Sequence, residues 1–189
     1  MLTRRPLVKY LLEDRPANLL AVSGLGSSTW DLTASGDDAR NFCFIGAMGQ
    51  AGPFALGLAL SQPEKRVVLF TGDGEMLMGL GSLATIANQA PANLVILVMD
   101  NESYVETGSQ PTATAGRTNL EAVAKGCGIA DTRTFTDESE RQALRELVRS
   151  APGPVFANVK IVREALPLAF PHSFDGAIAI NRFRDAATS

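Results

Sequence analysis

The sequence is short of the residues that most often carry unaided chemistry. It has one histidine and two cysteines in 189 residues. The single His172 sits in the irregular segment "FPHSF". No Ser/His/Asp arrangement can be assembled around it with conviction, and a surface or packing histidine is its better reading. Cys43 and Cys127 lie far apart and form neither a CxxC nor a metal-ligand cluster. They read as buried, reduced thiols of a cytosolic protein. There is no GxxxxGK[ST] phosphate loop. Gly79-x-Gly81-x-x-Ala84 imitates a dinucleotide fingerprint, but it begins inside a helical pattern and not at a strand end. Close helix packing accounts for it better.

Charge of one sign is also scarce. Lys and Arg total 17 against 20 Asp and Glu, a net charge of −3, and no block of like charges stands out. That excludes the clustered basic footprint of a nucleic-acid binder. No uncharged apolar run is long enough to span a bilayer. The N-terminal "MLTRRPLVKYLLEDRP" has its apolar stretch broken by Lys9 and ended at Glu13, unlike a signal peptide. A soluble, cytoplasmic protein is expected. What is present is core material: 46% of residues are hydrophobic and 20% charged. One domain over 1–189 is the expectation from length.

Strand-like and helix-like segments alternate along the chain. Residues 18–24, 41–46, 66–72, 93–101, 131–135 and 154–161 read as strands. Residues 5–14, 26–34, 49–62, 76–89, 119–127, 137–150 and 177–187 read as helices. Asp137 and Glu140 form a capping box. Apolar strands without alternation, separated by helices, mean a parallel sheet covered on both faces. The expected fold is α/β, an open sheet of about six strands with helices on both sides. Ligands of such folds bind beyond the carboxyl ends of the strands. That rule gathers the loops 23–29, 46–52, 72–76 and 101–109.

One of these loops poses a problem. In "VVLFTGDGEML" an apolar strand ends in Gly72-Asp73-Gly74 before a helical pattern. Glycines ahead of a helix N-terminus make a phosphate cradle. A carboxylate there repels the anion, by roughly 4 kcal/mol at about 4 Å and an effective dielectric near 20. Asn101 resolves the conflict, because it too follows a buried strand. Carboxylate, amide, carbonyl and phosphate oxygens suit Mg²⁺, and a divalent ion turns the repulsion into attraction. GDG alone is a common turn, and "DN" a common loop start. Joined by an interval that holds one helix and one strand, they are much more specific.

This combination resembles the signature of the thiamine-diphosphate enzymes, and the resemblance covers nearly the whole chain. It implies a thiamine-diphosphate-binding fold of the diphosphate type. Mg²⁺ would be held by Asp73, Asn101 and the backbone carbonyl of Ser103. Gly72, Gly74, Glu75 and Tyr104 would lie against the cofactor. In "FIGAMGQAGPFALGLAL", Met48 matches the family's apolar wedge under the cofactor, and the Gly46 carbonyl would accept a hydrogen bond from the aminopyrimidine. Outside that context Met48 reads as a core methionine. In "SGLGSS", Ser27 and Ser28 are candidates for further diphosphate contacts. Glu75 departs from the family, where a small residue commonly follows the motif; an acid in a helix's first turn is favourable in itself.

The family also uses a catalytic Glu from a second, pyrimidine-binding domain. The resemblance therefore implies a separate alpha subunit, a hetero-oligomer, and an active site at the interface. The pieces "DNESYVETGSQPTAT" and "DGAIAINRFRDA" resemble the sulfopyruvate decarboxylases, whose β subunits are separate chains, and the phosphonopyruvate decarboxylases. Chain size favours the sulfonate. The implied reaction is nonoxidative decarboxylation of an anionic 3-substituted pyruvate, sulfopyruvate to sulfoacetaldehyde in the leading case, within sulfonate or coenzyme M metabolism. Tyr104, Gln110 and Thr112 either meet the anionic head group or only order their loop. A carboligase subunit with the same cofactor and a non-catalytic relict subunit are the competing readings. The intact Asp73 and Asn101 disfavour the relict. An oxidoreductase subunit would bring cysteine clusters that are absent.

Overall fold

The computed structural model describes residues 1–189. The apolar runs form one parallel sheet of six strands in the order β2-β1-β3-β4-β8-β7. The chain enters through α1 (Arg4–Leu12), β1 (Leu19–Ser23), α2 (Ser27–Ala34), β2 (Asn41–Cys43) and α3 (Ala51–Ser61). It continues through β3 (Arg66–Gly72), α4 (Asp73–Met78), α5 (Gly81–Gln89) and β4 (Leu94–Asp100). A small antiparallel hairpin follows, β5 (Ser103–Tyr104) and β6 (Gln110–Pro111). The rest is α6 (Leu120–Gly126), β7 (Asp131–Phe135), α7 (Arg141–Ser150), β8 (Val155–Lys160) and α8 (Gly176–Thr188).

Strand periodicity sorts the core into two layers. Val68 and Phe70 of β3, with Val95 and Leu97 of β4, face α1 and α7 through Leu7, Val8, Leu11, Leu144 and Leu147. Val67 and Leu69, with Leu94 and Ile96, face the other way onto Ala55, Leu83, Ile86 and Leu120. Side chains two apart in a strand share a face. A strand buried on both sides is therefore apolar throughout, as β4 is at every position but its final Asp100. Each fully buried Leu or Phe contributes roughly 1.5–3 kcal/mol. α8 lies over β1 and β2, packing Phe183 and Ala187 on Leu20, Phe42 and Phe54.

Two elements differ from the sequence expectation. The helix expected from Met76 to Gln89 starts instead at Asp73 and breaks at Gly79–Leu80. Gly79 comes so close to the Gly49 carbonyl that a Cβ there would sit 2.4 Å from its oxygen. The break thus serves close packing at Gly79, as the sequence reading supposed, whereas Gly81 has open space where a side chain would be. The segment 102–117, read as plain loop, contains the hairpin and two short 3₁₀ turns. No helix is long and apolar enough to cross a membrane.

Candidate active site

The strand order sets the place. From β1 the chain moves outward to β2, then back past β1 to β3. The loops leaving β1 and β3 diverge, and a crevice opens at their carboxyl ends. It holds a cavity of about 330 Å³ lined by Ser27, Ser28, Met48, Gly72, Asp73, Gly74, Glu75, Asn101, Ser103 and Tyr104. All four loops named from sequence meet there. Gly46 is the exception. It lines a neighbouring, larger cavity of about 500 Å³ with Phe42, Phe44, Phe170 and Phe174. His172 also borders that larger cavity, exposed and 3.9 Å from the exposed Asp37.

Asp73 opens α4 and is only 2% exposed. Its Oδ2 accepts hydrogen bonds from the hydroxyls of Thr112 at 2.5 Å and Thr114 at 3.2 Å. Thr114 also lies 2.8 Å from Asp100 Oδ1. Asp100 ends β4 and is held by Asn158 at 3.1 Å and Lys160 at 2.7 Å. Burial pushes the Asp73 carboxyl up, the Thr112 hydroxyl opposes that, and the charge of Asp100 adds to the rise. Two buried acids thus share a threonine pair, with a cation at one end only. The Asp73 end is where positive charge is lacking.

Asn101 follows β4, next to β3 in register Gly72↔Met99, so it and Asp73 leave adjacent strands at the same end. Asn101 Oδ1 accepts from the Ser103 amide at 2.9 Å, closing a tight turn. Glu102 inside that turn has a φ of 61°. A non-glycine residue held there is strained, and such strain gathers at functional sites. The turn delivers Tyr104, whose ring presses on the motif: a Cβ on Gly74 would lie 2.3 Å from the ring.

The opposite wall is the start of α2. Ser28 is buried and Ser27 half-buried, its hydroxyl 3.1 Å from Glu106 of the hairpin loop. α2 is anchored from beneath. Asp31, 2% exposed, accepts from the buried Arg4 and from Arg5 Nε at 3.0 Å. Burial pushes the Asp31 carboxyl up against the pull of Arg4 and Arg5. Met48 stands 36% exposed beside the cavity, free of the cores, so it is not packed as a core methionine.

Two candidates are placed differently from the substrate role considered for them. Thr112 is buried with its hydroxyl turned onto Asp73. Its donor thus faces that carboxylate. Gln110 is exposed and its amide closes on Thr107 at 3.0 and 3.3 Å, which orders the loop. Tyr104 does line the cavity. Sequence reasoning missed Arg4, Trp30, Glu106, Thr114 and the Asp100–Asn158–Lys160 group. Asp100, Glu106 and Thr114 all lay within the stretch "DNESYVETGSQPTAT" already singled out.

Comparison with known proteins agrees with this geometry. The family described as "Thiamine pyrophosphate enzyme, C-terminal TPP binding domain" matches residues 28–159. The chain is 40% identical over 143 residues to the sulfopyruvate decarboxylase subunit beta of Methanocaldococcus jannaschii, covering 76% of this chain and 74% of that one. It is 43% identical over 151 residues to the same subunit of Methanothermobacter thermautotrophicus, covering 80% and 76%. The phosphonopyruvate decarboxylase of Streptomyces viridochromogenes is 36% identical over 159 residues, but the match covers 84% of this chain and 40% of that one. The chain belongs to the thiamine pyrophosphate enzyme family and carries its C-terminal cofactor-binding domain.

Proposed function

We propose that this member of the family is the beta subunit of a two-subunit, thiamine-diphosphate-dependent 2-oxoacid decarboxylase that converts sulfopyruvate to sulfoacetaldehyde and CO₂. The observation that carries the reading is the meeting of Asp73 and Asn101, from the ends of adjacent strands, on one cavity with the glycine turn. The relatives named as beta subunits of sulfopyruvate decarboxylase supply the substrate and the expectation of a separate alpha subunit. That subunit would carry the pyrimidine-binding domain and its Glu. The whole chain, 1–189, is read as one diphosphate-type domain.

The residues fit a Mg²⁺-bound diphosphate. Asp73 is a buried carboxyl whose hydrogen-bond partners are neutral hydroxyls and whose charged neighbour is another acid. A cation would relieve that, and oxygen ligands favour Mg²⁺. Asp73, Asn101 and the Ser103 carbonyl would hold the ion. Ser27, Ser28 and the backbone at Gly72, Gly74 and Glu75 would bind the diphosphate oxygens. Met48 would fix the bend of the cofactor, and the Gly46 carbonyl would accept from its aminopyrimidine. Thiamine diphosphate, when bound, supplies the electron sink for loss of CO₂ from a 2-oxoacid. Tyr104, which lines the cavity, would orient the substrate and exclude water.

The test is co-expression with the candidate alpha subunit, followed by assay on sulfopyruvate and phosphonopyruvate. Turnover of sulfopyruvate that requires both chains, thiamine diphosphate and Mg²⁺ is expected. Full turnover by this chain alone refutes the divided site, and preference for phosphonopyruvate reassigns the substrate.

A further inference from the structure

One buried carboxyl beside the site has no part in that scheme. Glu75 lies in the first turn of α4, two residues past Asp73, and is 3% exposed. Its Oε2 accepts from the Thr71 hydroxyl at 2.9 Å. The same oxygen fills the place of a side chain on Gly24, where a Cβ would sit 1.6 Å away. Backbone N–H groups of Gly49 and Leu25 also favour its charged form. Its Oε1 makes no full hydrogen bond of its own.

These contacts come from three separate turns. Thr71 precedes the Gly72-Asp73 turn at the end of β3. Gly24 and Leu25 follow β1 and lead to Ser27 and Ser28. Gly49 stands next to Met48, ahead of α3. A carboxyl so near a diphosphate site is electrostatically unfavourable, and an apolar side chain would fill the same space without that penalty. What an apolar residue lacks is an acceptor that the Thr71 hydroxyl reaches directly and that faces the N–H groups of Gly49 and Leu25.

We propose that Glu75 is a positioning residue that braces three turns of the cofactor cradle, holding Met48 and the Ser27–Ser28 turn in place against the Asp73 turn. What the turns do rests on the decarboxylase reading above; the brace itself does not. Glu75→Ala removes the acceptor, whereas Glu75→Gln keeps a carbonyl acceptor and the volume. Gly24→Ala displaces the carboxyl from the other side.

The test uses the full chain, by hydrogen–deuterium exchange and by titration with thiamine diphosphate and Mg²⁺. Trp30, the only tryptophan, lines the cavity and reports binding by fluorescence. Glu75→Ala is expected to speed exchange in 24–28 and 46–50 while β7 and β8 stay protected. It should weaken cofactor affinity about tenfold, the size of one buried hydrogen bond, with Glu75→Gln nearer the wild type. Gly24→Ala should give the same local pattern, and its effect should shrink in the Glu75→Ala background. Unchanged exchange in both turns overturns the brace, as does faster exchange spread evenly over the sheet. If Glu75→Ala does not fold, Gly24→Ala and Glu75→Gln carry the same comparison. Failure of both this chain and the pair co-expressed with its alpha subunit to bind thiamine diphosphate would sink the cofactor reading alone, since the exchange pattern still judges the brace.

Discussion

The Thr112 hydroxyl donates to Asp73 Oδ2 at 2.5 Å, across 39 positions of sequence. Thr114 lies against the same oxygen, so neither threonine hydroxyl engages Oδ1, the oxygen left for the cation proposed above. A carboxylate turned by its partners in this way is a prepared ligand, and such outer partners typically change metal affinity by about 10–100-fold. Thr112→Val should therefore weaken Mg²⁺-dependent cofactor binding by about tenfold, and Thr112→Ser should restore it. Calorimetric titration of Mg²⁺ at fixed cofactor measures both.

Asp73→Ala should abolish Mg²⁺-dependent binding of thiamine diphosphate; an unchanged affinity would remove Asp73 from the metal site. Asp73→Asn separates ligation from stability. Burial and the charge of Asp100 both oppose the ionised carboxyl, so the amide should melt no lower than the wild type while binding is lost.

Met48 stands at the cavity wall outside both cores. Met48→Ala should lower kcat, by up to about a hundredfold if the bound geometry slips by an ångström, with little change in cofactor affinity. Equal rates in the two proteins would leave Met48 without a role in the chemistry.

Asp31→Ala leaves the buried Arg4 without its carboxylate. Breaking a buried pair from one side costs about 3–5 kcal/mol, and the urea midpoint should fall accordingly. Replacing both partners, Arg4→Met with Asp31→Leu, should recover most of the loss, since neither charge then remains buried.

Acid stability should depend on Asp38. Burial pushes its carboxyl up, but hydrogen bonds from the Arg40 side chain and backbone and from Arg15 outweigh this and hold it well below the usual carboxylate range. A depressed carboxyl contributes stability that is present above its unfolded value of 3.8 and is lost as the pH falls below it. Urea midpoints at about pH 6 and about pH 3 should diverge less in Asp38→Asn than in the wild type. Salt should narrow the difference, because the cluster is partly exposed.

Much of the architecture was legible because its causes are local. Buried parallel strands are continuously apolar, and the helices between them carry a different period, so all six strands of the sheet and its doubly covered form were foreseen. The capping box at Asp137 and Glu140 was read correctly, since both bonds span one turn. The break at Gly79 was not foreseen as a helix boundary. Its cause is the Gly49 carbonyl, which belongs to another element.

The site divides along the same line. The sequence by itself determined the motif residues and the chemistry proposed for them: glycines for close approach, Asp73 and Asn101 for a cation, and a βαβ interval that makes their strands neighbours. Only the tertiary structure decided what surrounds them. It turned Thr112 inward onto Asp73, tied Asp100 to Asn158 and Lys160 from β8, and set Arg4 beneath α2. It also placed Glu75 in the space left by Gly24. The reason is physical: hydrogen bonds and burial depend on which segments fold together, and no local pattern in the chain encodes a partner many residues away.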